Sequence, residues 1–255
     1  MSTFLWVIFP YLCLAVFVVG HWWRYKYDKF GWTTRSSQLY EDNLLKWGSP
    51  LFHFGMLGVV GGHIIGLLLP KGWTDAIGIS EETYHAFALG GGLVAGAMTF
   101  VGLVMLIYRR RTVRPVFKAT TPMDKVMYLF LAGVILLGCW NTVASVIFDS
   151  HFNYRESVSP WFRQIFWFQP DASLMTGAPL GFQAHALLAF ALFALWPFTR
   201  LVHVFSAPVG YLTRPYIVYR SRGSKVQDGL GNRSGSPTRS EERRVGKEGR
   251  SRWSP

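Results

Sequence analysis

The chain has 255 residues, half of them apolar, and its 26 Lys and Arg against 14 Asp and Glu give a formal net charge of +12. The apolar residues are gathered into long runs, which excludes an ordinary soluble domain although the length alone would suit one. Most of the positive charge falls in two loops and a C-terminal tail, so it does not indicate a nucleic-acid-binding protein.

Five apolar runs follow one another along the chain, most of them roughly 20 residues long, the length that crosses a bilayer as a helix. They cover about residues 4–20, 51–70, 85–108, 126–148 and 181–205. No basic segment precedes the first run and aromatic residues follow it, so we expect a retained span and not a cleaved signal peptide. The pattern predicts an all-α fold, a five-helix transmembrane bundle.

Basic residues predict the orientation of this bundle. Two loops are rich in Lys and Arg, whereas the other two hold Lys71 alone and Arg155 with Arg163. Cationic loops stay in the cytoplasm, so we predict the N-terminus outside and the C-terminus in the cytoplasm. The cationic loops contain Arg24, Lys26, Lys29, Arg35 and Lys46 after the first span, and Arg109, Arg110, Arg111, Arg114, Lys118 and Lys125 after the third.

A change in composition ends the transmembrane domain, which we expect to cover residues 1–222. Residues 223–255 are rich in Ser, Gly and Arg and have no apolar period. Such a segment buries too little surface to offset its ordering entropy, so we predict a disordered basic tail. Within it, residues 239–255 are interpreted either as a non-native addition or as a tail resting on anionic lipid.

Four histidines lie in two of the apolar spans, where imidazole is costly and usually serves a site. His53 and His63 are ten residues apart in the second span, roughly 15 Å along a helix, and His185 and His203 are 18 apart in the fifth, about 27 Å. Because the two spans run in opposite directions, depth pairs His53 with His203 and His63 with His185. The unequal spacings require tilt or a kink at Pro197.

Two pairs of imidazoles at two depths are what two haems need, each iron ligated from both sides. The sequence has no Cys-x-x-Cys-His motif, so such haems would be b-type. Cys13 and Cys139 lie inside spans and are interpreted as small buried apolar residues. Structural histidines or a proton path are the alternatives, and zinc is disfavoured because each pair supplies only two ligands.

Glycines form a strip on the second span, at Gly55, Gly58, Gly62 and Gly66. Such a strip can receive a flat macrocycle, although its commoner use is close packing of helices in lipid. The remaining histidines lie at span ends or in a loop, where they are usually interfacial or solvated. They are His21, His85 and His151.

Four segments are similar to a known family: WRYKYDKFGWTTRSSQ (23–38), LFHFGMLGVVGGHIIG (51–66), KATTPMD (118–124) and RLVHVFSAPVGYLTRPY (200–216). They resemble the gamma subunit of membrane-bound respiratory nitrate reductase, over roughly residues 4–220. The resemblance implies a di-haem cytochrome b in the bacterial plasma membrane that oxidises menaquinol or ubiquinol. It also implies an iron–sulfur beta subunit and a molybdenum alpha subunit as cytoplasmic partners, with nitrate reduced on a partner.

The resemblance assigns the haem ligands. His53 and His203 match those of the haem proximal to the partner subunits, and His63 and His185 match those of the distal haem. Several arginines lie where they could meet haem propionates or a docking face, although fixing the topology is the commoner role of such residues. They are Arg109, Arg110, Arg111, Arg200 and Arg214.

The resemblance also implies a quinol contact at Gly62, beside His63, and we add His85 as a candidate contact. One departure bears on them, because a lysine that precedes the third span in a relative is absent here. Glu81 and Glu82 stand in its place. We therefore expect either that His85 or Glu82 takes the polar role toward quinol, or that quinol binds somewhat differently here.

Two other functions fit parts of the pattern. A cytochrome b subunit of a heterodisulfide- or sulfite-linked reductase complex would use the same haem ligation with different partners. A haem-free proton or ion transporter could use the buried histidines, but the spans have few carboxylates and no evident broken-helix repeat.

Overall fold

The computed structural model describes residues 1–32, 36–147 and 152–206, which form helices and contain no strand. Five helical segments in this part of the chain are long and apolar enough to cross a membrane: Phe4–Tyr27, Asn43–Leu68, Glu81–Thr112, Pro122–Ile147 and Leu180–Phe198. The predicted all-α fold with five candidate spans is confirmed. The predicted disordered tail lies outside the described residues. Arg35, His151 and Arg214 also lie outside them.

Nine α-helices make up most of the described chain: α1 (Phe9–Tyr27), α2 (Asn43–His63), α3 (Lys71–Ala76), α4 (Glu81–Thr112), α5 (Arg114–Lys118), α6 (Pro122–Ile147), α7 (Val158–Phe166), α8 (Ala172–Thr176) and α9 (Leu180–Leu195). A π-helical turn, Phe4–Ile8, leads into α1, and another, Ile64–Leu68, continues α2. Short 3-10 segments cover Lys29–Gly31, Gln38–Tyr40, Trp196–Phe198 and Arg200–Ser206. The spans are α1, α2, α4, α6 and α9.

Helix α4 is longer than its apolar run because polar residues stabilise both of its ends. Ser80 caps the first turn, accepting a hydrogen bond from the Thr83 N–H at 3.2 Å. Acidic side chains follow in the first turn and three arginines stand in the last, as the helix dipole favours. The third span therefore begins at Glu81 and ends at Thr112, outside the 85–108 range of apolar residues.

Helices α2 and α4 form a closely packed antiparallel pair. A Cβ added at Gly55 would lie 2.5 Å from the Thr99 nitrogen, and one at Gly58 would lie 2.9 Å from the Ala95 Cβ. Both glycines thus permit close helix contact, the commoner use of small residues in lipid. Gly62 differs, since a Cβ there would meet no atom within 4 Å.

The fifth span is broken. Helix α9 ends at Leu195, a 3-10 turn follows at Trp196–Phe198, and Thr199 is extended, with φ −110° and ψ 179°. Pro197 has no N–H and cannot continue the α-helical ladder. The apolar run 181–205 is therefore two pieces. We call the end of the bundle that contains the segment after Pro197 the His203 end. The opposite end is the His185 end.

The short helix α7 closes the His185 end of the bundle. Trp161 packs edge-on against Trp6, with ring centroids 5.8 Å apart, and its indole N–H donates to the Trp6 carbonyl at 2.9 Å. Ser159 donates to the Gly66 carbonyl at 2.8 Å, and Arg163 donates to the Leu67 carbonyl at 3.0 Å. These donors satisfy carbonyls that the end of the second span leaves open.

Two arginines in the last turn of α4 are buried and bond within the chain. Arg109 donates to the Ser37 hydroxyl at 2.9 Å and carbonyl at 2.8 Å, and it pairs with the Glu41 carboxylate. Arg110 donates to the Tyr128 hydroxyl at 2.9 Å. They tie α4 to the segment before α2 and to α6.

Candidate functional site

Two pairs of imidazole rings face each other between the second and fifth spans. The ring centroids of His53 and His203 are 6.0 Å apart with an interplanar angle of 67°. Those of His63 and His185 are also 6.0 Å apart, at 29°. The structure thus brings together the same partners that depth pairs in the sequence, at two levels of one bundle.

The break in the fifth span allows both pairs to close. On straight helices, 18 residues span about 27 Å and ten residues span about 15 Å, so two unbroken helices could not match both pairs. Helix α9 carries His185 alone, and His203 lies on the 3-10 segment Arg200–Ser206 that follows Thr199. The change in backbone direction replaces the straight helix that the spacing argument assumes.

Each of the four imidazoles has its Nδ1 within hydrogen-bond distance of a backbone carbonyl. A carbonyl only accepts, so each Nδ1 carries the hydrogen and the unprotonated nitrogen is Nε2. This arrangement fixes the tautomer in which Nε2 can bind a metal. The acceptors are the carbonyls of Ser49 for His53 (2.7 Å), Val59 for His63 (2.8 Å), Val134 for His185 (3.0 Å) and Arg200 for His203 (2.7 Å).

The spacing within each pair fits haem iron. Two imidazole nitrogens that bind one metal ion from opposite sides, at about 2.0 Å each, place the ring centroids about 6 Å apart. Both pairs have this separation. In the part of the chain that the structure describes, no group of three or more His, Cys, Asp or Glu could hold a metal ion. The donor sets are therefore pairs, which suit axial ligation of haem and not tetrahedral zinc.

Open space adjoins the His63–His185 pair. A Cβ added at Gly61 or Gly62 of α2, or at Gly90 or Gly91 of α4, would meet no atom within 4 Å. The antiparallel register of the two helices places these glycines level with His63, whose side chain is exposed. The backbones of α2 and α4 are therefore uncovered by other side chains at these positions.

A charged cluster lies at the His185 end, around Glu81. The Glu81 carboxylate is 3.4 Å from His85 Nε2, 3.0 Å from Arg155 Nη1 and 4.0 Å from Lys71 Nζ. It also accepts a hydrogen bond from the Asn153 amide at 3.0 Å. We term these five residues the Glu81 cluster. The acidic side chain that reaches His85 is Glu81, one helical turn before it.

Buried tyrosines support this cluster. The Arg155 guanidinium lies 3.8 Å from the ring centroid of Tyr84, whose hydroxyl is 3.3 Å from that of Tyr154. Burial, and then the hydrogen bond to Tyr84, raise the pKa of Tyr154, which stays protonated at neutral pH. The sequence offered one signal for this group, the presence of Arg155 in a weakly charged loop, which bears on topology but does not by itself reveal the cluster.

Comparisons with known proteins converge on one family. The sequence profile described as "Nitrate reductase gamma subunit" matches residues 2–222. The chain is 50% identical over 219 residues to the nitrate reductase gamma chain of Bacillus subtilis, covering 86% of this chain and 97% of that one. It is 33% identical over 228 residues to the respiratory nitrate reductase 2 gamma chain of Escherichia coli, covering 87% and 98%.

A longer relative comes from Mycobacterium tuberculosis. The chain is 56% identical over 227 residues to its nitrate reductase-like protein NarX, a match that covers 89% of this chain. The match covers only 35% of the M. tuberculosis protein, so this chain corresponds to about a third of that relative's length.

Proposed function

Because the chain belongs to the nitrate reductase gamma subunit family, we propose that it is a di-haem cytochrome b that passes electrons from membrane quinol to the other subunits of a respiratory nitrate reductase. The chain is a multi-pass bacterial membrane protein. The observation that carries the proposal is the pairing of four imidazoles, 6.0 Å apart in each pair and each with Nδ1 held by a carbonyl.

His53 and His203 are the proposed ligands of the proximal haem, and His63 and His185 those of the distal haem. Haem b bound at these pairs would supply one-electron transfer across the bilayer. The chain's own contribution is to fix each ring through its Nδ1 carbonyl, which sets the tautomer and raises the basicity of Nε2.

Quinol oxidation is proposed at the His185 end, with Gly62, His63 and His85 as contacts. The open space beside Gly62 supports this placement, since it admits a flat ring next to His63. The Glu81 carboxylate lies 3.4 Å from the Nε2 of His85, so we propose that the opposite ring nitrogen takes a proton from a quinol hydroxyl. The Glu81 cluster then lies on the side where protons are released, outside the cell.

The distribution of exposed charge supports the proposed orientation. At the His185 end, Lys71 pairs with Glu156 at 2.8 Å and Arg155 pairs with Glu81 at 3.0 Å. The His203 end presents exposed cations to solvent, so we place it in the cytoplasm, where the iron–sulfur beta subunit and the molybdenum alpha subunit would dock. These exposed cations are Lys26, Lys46, Arg111, Arg114, Lys118 and Lys125.

The proposed function is tested by counting haem in the purified chain. Wild-type protein should hold two b-type haems, and His63→Ala or His185→Ala should halve the reduced-minus-oxidised signal and stop quinol oxidation. His53→Ala should keep one haem that quinol still reduces but that passes no electrons inward. His85→Ala, as the histidine control, should keep both haems. A colourless wild-type chain, or a full signal in the His63 and His185 variants, contradicts the proposal.

A further inference from the structure

Of the four paired histidines, only His203 lies outside an α-helix. It stands on the short 3-10 segment Arg200–Ser206, after the break at Pro197. A break leaves carbonyls without their intrahelical donors and lets the following segment take many directions. Contacts from other parts of the chain must therefore hold His203 opposite His53.

Helix α1 supplies the first set of these contacts. The buried Arg24 side chain donates to the carbonyls of Pro197 and Thr199, the latter at 3.2 Å, and to that of Gly31 at 2.8 Å. One turn earlier, a Cβ added at Gly20 would lie 2.7 Å from the Pro197 Cγ. The lack of a side chain at Gly20 thus lets α1 pack closely against Pro197. Arg24 donates hydrogen bonds to the carbonyls that the break leaves without intrahelical donors.

Helix α6 supplies the second set. Arg200 forms a two-point ion pair with Asp124, at 2.8 Å and 3.1 Å, and Asp124 is 5% exposed. Asp124 is itself fixed, since it accepts from the Thr121 N–H at 3.0 Å. The carbonyl of Arg200 in turn accepts from His203 Nδ1 at 2.7 Å. One residue therefore joins a buried carboxylate to the imidazole.

We infer that Asp124, acting through Arg200, and Arg24, acting on the break, are positioning residues for the His53–His203 site. The inference rests on the proposed function and assigns residues of the first and fourth spans to a site whose ligands lie on the second and fifth. The other pair does not need them, because the carbonyl that receives His185 Nδ1 belongs to Val134 in the unbroken helix α6.

The test is Asp124→Asn in the full chain, assembled with its partner subunits in membranes. Loss of such a supporting group typically weakens metal binding roughly 10- to 100-fold. We expect one of the two haems to transfer to apomyoglobin faster and to shift in midpoint potential, while the other is unchanged. Asp124→Glu should restore most of the wild-type behaviour. Asp42→Asn is the matched control, an exposed carboxylate at the same end that contacts Gln38.

Arg24→Lys gives a second test, with the same two measurements, that does not depend on the Asp124–Arg200 ion pair. A lysine can reach one carbonyl of the break but cannot serve both, so the same haem should loosen to a smaller extent. Wild-type potentials and haem retention in both Asp124→Asn and Arg24→Lys would overturn the inference, as would equal effects on the two haems. A wild-type chain without haem would overturn the proposed function instead.

Discussion

His85 differs from the paired histidines in what holds its ring. Its Nε2 faces the Glu81 carboxylate at 3.4 Å, whereas each paired histidine uses Nδ1 to donate to a carbonyl. A carboxylate beside one nitrogen can orient the ring for proton transfer at the other nitrogen. The residue is therefore suited to proton transfer and not to ligation.

We predict that His85→Ala lowers kcat/KM for quinol oxidation roughly 10²- to 10⁴-fold, the usual contribution of a general base. Both haems should stay bound with unchanged dithionite-reduced spectra. Steady-state kinetics with a soluble quinol analogue measure the first effect, and haem quantification the second. Asp75→Asn is the control, because Asp75 is an exposed carboxylate at the same end of the bundle. Equal rates in His85→Ala and wild type would exclude His85 as the base.

Among the helices, α2 has glycines that differ in what surrounds them. Gly55 lies against the α4 backbone, whereas Gly61 has no atom within 4 Å of an added Cβ. We predict that Gly55→Ala destabilises the protein by about 1–3 kcal/mol through overpacking. Gly61→Ala should stay within about 1 kcal/mol of wild type, because alanine favours the helix and meets no neighbour. Thermal unfolding of the two variants in detergent measures the difference, and similar melting temperatures would show that α2 and α4 tolerate separation.

The elements also show what could be predicted from sequence. Apolar length alone identified the five spans, and helix direction with depth was enough to pair His53 with His203. The unequal histidine spacings predicted tilt or a kink at Pro197, and the structure has a break there, although residues 181–205 form one apolar run. What fixes it is Arg24, which reaches a carbonyl 173 residues away in the sequence. Contacts between residues so far apart in the sequence depend on how the helices pack, and local sequence patterns do not reveal that packing.

Across the whole molecule, the two ends handle charge in opposite ways. At the His185 end, Lys71 and Arg155 are both neutralised by acidic partners within the chain. At the His203 end, Arg109 is internal but Lys118 and its neighbours are exposed. Lys and Arg in short loops resist transfer across the membrane, and the loops at the His203 end hold many more of them than the loops at the His185 end. The asymmetry therefore favours one insertion of the bundle over its inverse.

This asymmetry leads to a prediction about topology. The sequence has only two cysteines, so a Cys13→Ala, Cys139→Ala background permits single-cysteine labelling. Lys118 and Ala76 are exposed at opposite ends of the bundle. A membrane-impermeant maleimide should label Ala76→Cys in intact cells and Lys118→Cys only after permeabilisation. The reverse pattern would leave the histidine pairs intact but move His85 and the Glu81 cluster to the cytoplasm. Quinol oxidation would then release its protons inside, so the labelling also decides whether the reaction contributes to a proton gradient.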